Sequence, residues 1–446
     1  MRVTRHIAVG VLAVAAVATA LAAPTASAAD PFYAASPSTV AAAAPGAVLK
    51  TRTIPYHVLG VATPVTAIQI LYRSTDSVGA PVANVTSVLI PPRPLPTTKV
   101  VSYQSAYDSL NPADSPSRAI AADDRLGGLT AGGNPAIGGV AANGEGAIVG
   151  PMLAAGYTVV IPDTEGPKAN FAAGPEYGVH TLNSLRAVRD VPATRITGTS
   201  PVGLIGYSGG AIATNWAAIE APRYAPDVDR QLIGAAQGGL LVNPATNLRY
   251  ISGTPVWSGV AGMAVVGIGR AYDIDFGPYI NDFGRRILGR LADASILNVL
   301  GQYGRLTWPQ VVQPKYRNPN SVRAFVDATN KVNMGAAGTP SIPMFVAQGA
   351  NGALEGTPTG PAGVGTGDGV MVAGDVRTLM RDYCAAGLRI QYDEYPALSH
   401  TLSAVPWLAG ALQWLTDRFA DRPAPSNCAA IRPGNSLAPQ VYEPAP

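Results

Sequence analysis

The sequence predicts an α/β fold with a mostly parallel central sheet, and three observations support this prediction. From about Val48, short apolar runs alternate with helical stretches bounded by glycine and proline, an order typical of strands and helices built into one sheet. The apolar run Val202–Gly206 is a short strand followed by a helical pattern that opens at Gly210. Residues 244–333 carry helical patterns alone, so we expect a helical insert between two strands.

The predicted elements are spread over most of the chain. Strands are expected at Val65–Arg73, Val82–Ile90, Thr98–Tyr103, Thr158–Pro162, Val202–Gly206, Ile342–Gln348 and Leu388–Tyr395. Helices are expected at Asn183–Val191, Gly210–Glu220, Val376–Ala386 and Ala404–Phe419. The predicted organisation is an export signal (1–28), an N-terminal arm (29–47), two parts of a core (48–243 and 334–428), a helical cap between them (244–333) and a flexible C-terminal tail (429–446).

The first 28 residues have the parts of an export signal. Two arginines precede the apolar stretch Ile7–Ala23, and Ala26-Ser27-Ala28 places small residues where a signal peptidase cleaves. The apolar stretch is short for a membrane span and ends at a proline. We therefore expect cleavage, a mature chain that begins near Ala29, an extracellular location and no integral membrane segment in the mature chain.

Charge and cysteine content argue against several classes of protein. Without the two arginines of the signal, 29 basic residues face 28 acidic ones, which gives no electrostatic footprint for a nucleic acid. The two cysteines, Cys384 and Cys428, predict one disulfide in an exported protein. Three histidines beyond the signal, without a His-Glu-x-x-His pair, argue against a zinc enzyme. We expect neither a metal nor a cofactor.

The run Gly206-Tyr207-Ser208-Gly209-Gly210 matches the pattern Gly-x-Ser-x-Gly. In a chain with 49 glycines this match is weak alone, so its setting decides. A strand before it and a helix after it are the order that a nucleophile elbow requires, in which a strained serine stands between small neighbours. The sequence therefore predicts Ser208 as a nucleophile, the alternative being an ordinary glycine-rich turn between a strand and a helix.

The position of one histidine along the chain predicts the general base. Beyond the signal the chain has His57, His180 and His400. When the serine lies on a nucleophile elbow, the acid and then the histidine follow it in sequence, and only His400 lies after the serine. His400 also follows the predicted strand Leu388–Tyr395, where a loop histidine reaches the edge of the sheet. We expect His57 and His180 to be structural.

Three acidic residues compete for the role of the acid, on the connection after the predicted strand Ile342–Gln348. Asp375 begins a predicted helix, which is itself a sufficient reason for an aspartate. Glu355 lies near the strand end, inside a glycine-rich run that predicts a flexible loop. Asp368 precedes an apolar turn that can hold it beneath the imidazole. We favour Asp368 and keep the other two open, because the acid must hold the histidine tautomer.

An oxyanion hole needs two backbone N–H donors. The first is predicted at Gly209, the residue after the nucleophile. The second is expected in the loop after an early strand, here the loop that follows Thr98–Tyr103. Asp108 is the candidate in that loop, and the alternative is a plain turn aspartate.

Four motifs together resemble the secretory lipases, the lipase-A-like α/β-hydrolases of fungi and actinobacteria. The similarity extends from about residue 31 to Cys428. The motifs are Tyr103-Gln104 with Tyr107-Asp108-Ser109, Ile161-Pro162-Asp163-Thr164-Glu165-Gly166, Gly206-Tyr207-Ser208-Gly209-Gly210, and Tyr395-Pro396-Ala397-Leu398-Ser399-His400.

The resemblance implies an α/β-hydrolase fold, a mostly parallel central sheet flanked by helices, with an inserted helical cap or lid. It implies hydrolysis of triacylglycerols and related acyl esters through an acyl-enzyme, with a lipid or ester substrate at or near an oil–water interface. Rival functions are a carboxylesterase or acyltransferase acting on smaller esters, a serine peptidase on the same fold, and a non-catalytic secreted binding protein.

The resemblance also bears on individual residues. It supports Asp108 and Gly209 at the oxyanion hole, and a bond between Cys384 and Cys428. It supports Asp368 as the acid, since Gly367-Asp368-Gly369-Val370 fits the acid turn of the family. In one respect the chain departs from the family: residues 350–366 separate the strand from that turn. This insertion leaves Glu355 and Asp375 open as alternatives.

Overall fold

The computed structural model describes residues 30–124 and 126–445, and the predicted export signal lies outside them. Within the described residues nine strands form one sheet, in the order β1-β2-β3-β5-β4-β6-β7-β8-β9. The strands are β1 Val48–Val58, β2 Val61–Thr75, β3 Pro81–Ile90, β4 Val100–Gln104, β5 Thr158–Pro162, β6 Val202–Tyr207, β7 Leu232–Gly238, β8 Met344–Gly349 and β9 Ile390–Tyr395.

The sheet is antiparallel at one edge and parallel elsewhere. Strands β1, β2 and β3 form an antiparallel meander, and β3 also pairs antiparallel with β5. Every other neighbouring pair, from β5 through β4 and β6 to β9, is parallel. Parallel strands need cover on both faces, and β4, β5 and β8 are buried along their whole length. The predicted mostly parallel sheet is confirmed.

Helices cover both faces of this sheet. On one face, α5 and α6 pack on each other, and Leu182 and Trp216 join a cluster with Leu204 of β6. On the other face, Trp407 of α15 packs in a cluster with Ile205 of β6. The α-helices are α1 Pro37–Ala42, α2 Pro116–Ala121, α3 Gly139–Gly144, α4 Gly146–Ala154, α5 Gly174–Ala187, α6 Gly209–Tyr224, α7 Pro226–Asp229, α8 Pro244–Ile251, α9 Ser258–Ala271, α10 Asp282–Leu291, α11 Ile296–Val299, α12 Trp308–Val311, α13 Arg323–Lys331, α14 Ala373–Ala385 and α15 His400–Phe419.

Residues 244–333, the range predicted as a cap, contain helices α8 to α13 and none of the nine strands. Their apolar side chains form a cluster separate from those of the sheet, which includes Val260, Met263 and Leu291. Met371, from the loop between β8 and α14, belongs to the same cluster. The helical segment therefore packs over the loop in which the sequence places the candidate acids.

The C-terminal residues differ from the predicted flexible tail. Ile431 is 3% exposed and Leu437 6% exposed, and Asn333 donates a hydrogen bond to the Leu437 carbonyl. The predicted flexible loop at 349–369 also packs, since Val364 is 1% exposed. Both regions are held because single apolar side chains are buried against distant segments. Local composition, on which the prediction of flexibility rested, does not show such contacts.

Two further observations concern covalent and membrane architecture. Cys384 and Cys428 form a disulfide across a sequence separation of 44, with their Cα atoms 5.8 Å apart, so the predicted bond is confirmed. It ties the C-terminal segment to the end of α14. Within residues 30–124 and 126–445, no helix combines the length and the apolar character that a membrane crossing needs.

Candidate active site

Ser208 lies on a sharp turn between β6 and α6. The strand ends at Tyr207 and the helix begins at Gly209, which leaves Ser208 alone at the junction. Its backbone has φ 56° and ψ −120°, a conformation that L-residues rarely adopt. A hydrogen bond of 2.9 Å from the Ser208 N–H to the Gly238 carbonyl of β7 holds it there. This is the strained strand–turn–helix geometry of a nucleophile elbow.

The neighbouring glycines are required by close approach of the backbone. A Cβ atom at Gly206 would lie 2.3 Å from the Gly210 carbonyl oxygen. A Cβ at Gly210 would lie 2.1 Å from the carbonyl oxygen of Gln104 at the end of β4. Any side chain at either position would push the turn off the sheet edge.

His400 is the first residue of α15 and connects the serine with an acid. Its Nε2 lies 2.8 Å from Ser208 Oγ, and its Nδ1 lies 2.8 Å from Asp368 Oδ2. The His400 backbone is held as well, because its N–H donates to the Asp368 carbonyl at 2.7 Å. The hydroxyl of Tyr207 donates to the His400 carbonyl at 2.5 Å. The ring and the backbone of His400 are thus both fixed.

Asp368 is fully buried, with 0% of its surface exposed. Its Oδ1 accepts the backbone N–H groups of Val370 at 3.0 Å and Met371 at 2.7 Å. Its Oδ2 accepts the side-chain N–H of Gln348 at 2.8 Å, besides the contact with His400. These three N–H donors and the contact with His400 hold the carboxyl group of Asp368 in one orientation.

The other two candidate acids lie elsewhere. Asp375, in the first turn of α14, accepts a hydrogen bond from Asn435 Nδ2 at 2.7 Å, and burial raises its pKa to about 7. Glu355, at the end of the 3₁₀ helix Gly352–Glu355, accepts from Thr401 N and Trp257 Nε1. Neither forms a hydrogen bond with the imidazole in the described structure; Asp368 does.

Electrostatics around His400 favour the imidazolium. Burial lowers the pKa of His400, but the charge and hydrogen bond of Asp368 act in the opposite direction, with smaller contributions from Glu355 and Asp108. The balance leaves the pKa of His400 above its ordinary value. The site therefore stabilises the protonated ring that a general base becomes during catalysis.

Asp108 and Gly209 lie beside Ser208 and contact each other. Asp108 has φ 37°, and Gly209 opens α6, so the Gly209 N–H has no partner within the helix. A Cβ at Gly209 would lie 1.7 Å from Asp108 Oδ1, which requires glycine there. Burial raises the pKa of the Asp108 carboxyl to about 7, against an opposing effect of His400.

Two acids behind this loop were not predicted from the sequence. Glu145 accepts the Ala106 N–H at 2.6 Å, and Glu165 accepts the Ser109 N–H at 3.2 Å. Burial raises the pKa of Glu145 to about 7 and that of Glu165 well above its ordinary value. They fix the loop on both sides of Asp108. Glu165 belongs to a motif on which the resemblance relied, whereas Glu145 has no recognisable pattern around it.

The two remaining histidines lie away from the serine. His57 Nδ1 is 3.0 Å from the Ile120 carbonyl oxygen, and His180 is fully buried between Ser74 and Glu176. His57 is half-buried and His180 is fully buried, and neither forms a hydrogen bond with Ser208 in the described structure.

A pocket opens at Ser208, and its empty space, counted together with its opening to solvent, is about 810 Å³. Its polar end is formed by Ser208, Gly209 and Asp108, and its remaining wall is mainly apolar. The apolar wall belongs largely to the helical segment and includes Trp257, Val260, Ala264, Ile268, Phe276 and Phe325. Such a cavity suits an extended hydrocarbon group with one polar end.

Comparison with known proteins identifies the family. Residues 134–427 match the profile of the family described as secretory lipase, which is more than half of the chain. The chain belongs to the secretory lipase family. This confirms the resemblance seen in the motifs, and as a secretory lipase the protein is a carboxylic ester hydrolase.

Relatives and solved structures agree with this family. Lipase 6 of Candida albicans is 31% identical over 439 residues, covering 93% of this chain and 87% of that protein. A probable inactive lipase of Mycobacterium tuberculosis is 30% identical over 410 residues, covering 88% of this chain and 82% of that protein. The X-ray structure of Candida antarctica lipase A in its closed state has a TM-score of 0.75 at 26% identity, covering 91% of this secretory lipase and 89% of that chain. The predicted α/β-hydrolase fold is confirmed.

Proposed function

We propose that this secretory lipase hydrolyses triacylglycerols and related acyl esters outside the cell, with Ser208, His400 and Asp368 as its catalytic triad. The observation that carries the proposal is the continuous chain of contacts from Ser208 Oγ through the imidazole to Asp368, each 2.8 Å long. It opens onto the apolar cavity described above. An extracellular location is supported by the disulfide, which persists in oxidising compartments, and by the name of the family.

The proposed mechanism is acyl transfer in two halves. His400 takes the proton of Ser208 as Oγ attacks the ester carbonyl, and Asp368 holds the tautomer and stabilises the imidazolium. The backbone N–H groups of Gly209 and Asp108 receive the oxyanion, each worth about 3 kcal/mol. His400 then protonates the departing alcohol, and water repeats the sequence on the acyl-enzyme. The residues present need no metal ion for this chemistry.

The cavity wall favours acyl chains over peptides. A peptide substrate would bring amide groups against side chains such as Val260 and Ile268, which offer no hydrogen bonds. An acyl chain there gains about 0.8 kcal/mol for each buried CH₂ group. The substrate class proposed is therefore an ester with an apolar acyl chain, and a peptidase is disfavoured.

This substrate class predicts a dependence on acyl length. With p-nitrophenyl esters from acetate upwards, kcat/KM should rise by up to about fourfold per added CH₂ until the cavity is filled. Triolein emulsions should be hydrolysed, and peptide p-nitroanilides should not be. Because both rates are measured on the same preparation, a flat ester series or peptide cleavage at the ester rate would contradict the proposal.

The pKa of Asp108 predicts a loss of rate at alkaline pH. The carboxyl is neutral below about pH 7 and ionised above it. An ionised carboxylate beside the oxyanion opposes the developing charge, so kcat should decline as the pH rises through that value. Asp108→Asn keeps the backbone N–H but cannot ionise, and it should abolish this decline in a kcat profile from pH 5 to 10.

Asp375→Asn is the matched control for this experiment. Burial raises the pKa of Asp375 to about 7 as well, but its hydrogen-bond partner is Asn435, remote from the serine. This variant should keep the alkaline decline of the wild type. An Asp108→Asn enzyme with an unchanged alkaline limb would refute the effect assigned to the charge of the Asp108 carboxyl.

A further inference from the structure

Glu355 lies in the insertion at 350–366 and ends the 3₁₀ helix Gly352–Glu355 that follows β8. Each of its carboxylate oxygens accepts one hydrogen bond. Oε1 accepts the backbone N–H of Thr401 at 2.8 Å, and Oε2 accepts Nε1–H of Trp257 at 2.9 Å. Both donors are neutral, so these contacts hold the carboxylate in place without cancelling its charge.

The two donors belong to different parts of the fold. Thr401 is the second residue of α15, directly after His400, and Trp257 is the residue immediately before α9 in the helical segment. Glu355 therefore joins the helix that carries the histidine to the helices over the cavity. A carboxylate at the N-terminus of α15 is also favoured by the helix dipole.

Trp257, which Glu355 holds, also contacts the imidazole ring of His400. Trp257 is 7% exposed, and its ring stands nearly perpendicular to the His400 ring, at 81°, with centroids 5.5 Å apart. Gly369, next to the acid, packs against the same pair, since a Cβ there would lie 2.8 Å from Glu355 Oε2 and 3.1 Å from Trp257 Nε1. The pair thus contacts the imidazole on one side and the acid turn on the other.

Several groups face His400 from the elements packed around it. Asp368 lies on the acid turn, Asp108 on the loop after β4 and Glu355 in the insertion. The negative charge of each favours the imidazolium form of His400. Tyr207, at the end of β6, contacts the histidine through its hydroxyl, bonded to the backbone carbonyl. Of the three acids, Asp368 holds the start of α15 through its backbone carbonyl, which accepts the His400 N–H, and Glu355 holds it through its side chain, which accepts the Thr401 N–H.

We propose that Glu355 is a positioning residue for ester hydrolysis: its carboxylate clamps Trp257 to the first turn of α15, which holds the indole ring against His400 and places a further negative charge near the imidazolium. The proposal rests on the triad proposed above. The two consequences can be tested separately. The position of Trp257 depends on both hydrogen bonds of Glu355, whereas the effect on the imidazolium depends only on the charge of the carboxylate.

Glu355→Gln tests both consequences on a soluble p-nitrophenyl ester. Glutamine has one acceptor oxygen for two donors and no charge. We expect kcat to fall by about tenfold, with KM changed less. The acid limb of kcat/KM should move to lower pH, because loss of a nearby negative charge lowers the pKa of His400 in the free enzyme.

Two further variants separate charge from position. Glu355→Asp keeps the charge but is too short to hold both donors, so it should lower kcat while leaving the acid limb near that of the wild type. Glu220→Gln, near the far end of α6 and paired with Arg223, should change neither kcat nor the acid limb. Thermal unfolding of each variant identifies any that fail to fold.

The outcomes distinguish this proposal from the one it rests on. A folded Glu355→Gln enzyme with unchanged kcat overturns the positioning role, and one with reduced kcat but an unmoved acid limb overturns the proposed effect of the Glu355 charge on His400. If the Glu355 proposal fails in this way but Ser208→Ala abolishes activity in the same assay, the proposed triad still stands. If Ser208→Ala is fully active, the triad itself is wrong, and Glu355 has no catalytic histidine to position.

Discussion

Replacement of Ser208 by alanine should lower kcat for ester hydrolysis by about 10⁵- to 10⁶-fold. Without Oγ no acyl-enzyme forms, and His400, now 2.8 Å from an empty position, has no nucleophile to deprotonate. The remaining rate comes from the oxyanion donors and substrate binding, which alone leave about 10³-fold acceleration over water. Initial rates with p-nitrophenyl butyrate, measured over a broad range of enzyme concentration, give the ratio.

A fluorophosphonate probe supplies a second readout for the same residue. Only an activated serine reacts with it, so the wild type should carry the label on Ser208 and Ser208→Ala should carry none. The chain offers an internal control. Ser74 Oγ lies 2.7 Å from His180 Nδ1, and Glu176 contacts Nε2 of that ring at 3.2 Å, which is a similar series of groups in a fully buried place.

Peptide mapping of the labelled protein distinguishes the two serines. Label on Ser208 supports catalysis at the elbow, and an unlabelled protein would favour a non-catalytic binding protein. This labelling test matters because one relative, from Mycobacterium tuberculosis, is named a probable inactive lipase. In this chain the contact between Ser208 and His400 supports an active enzyme.

The sequence was most informative where function depends on local order. Ser208 could be predicted because the strand, the turn and the helix of an elbow are consecutive, and His400 because no other histidine follows the serine. Strand β7, Leu232–Gly238, was missed because glycine and alanine give a weak strand signal. Its small residues make room for α15, since a Cβ at Gly234 would lie 2.5 Å from the Trp414 ring.

Contacts between distant segments limited the prediction of the site. Glu145 and Glu165 bind the loop around Asp108 from two separate parts of the chain, and no spacing in the sequence predicts these contacts. Trp257 and Glu355 are 98 residues apart and meet only because the helical segment packs over the acid turn. Buried hydrogen bonds of this kind follow from tertiary packing and not from local pattern.

The insertion explains why the acid stayed ambiguous. Distance along the chain suggested that residues 350–366 could carry Asp368 away from the strand. In the structure the Gly352 N–H donates to the Gly367 carbonyl at 2.8 Å, which closes the insertion into a loop and returns the chain to the end of β8. Asp368 then accepts from Gln348, the penultimate residue of that strand.

Asp368→Asn should lower kcat by about 10⁴-fold with little change in KM. Asparagine keeps an oxygen for the turn N–H groups of Val370 and Met371, so the turn should still fold. Its amide N–H₂, placed toward His400 Nδ1, favours the tautomer with the proton on Nε2, and that ring cannot accept the proton of Ser208. Single-turnover rates on a soluble ester, with thermal unfolding as the folding check, measure the effect.

The three candidate acids predict a ranking that only one assignment satisfies. If Asp368 is the acid, Asp368→Asn loses about 10⁴-fold, Glu355→Gln about tenfold and Asp375→Asn less than about twofold. A larger loss in Asp375→Asn or Glu355→Gln than in Asp368→Asn would reassign the acid. All three carboxyls lie on the connection between β8 and α14 or in the first turn of α14. If the substitutions acted only by disrupting this connection, the three losses of kcat would be equal. Unequal losses therefore show that the carboxyls differ in their part in catalysis.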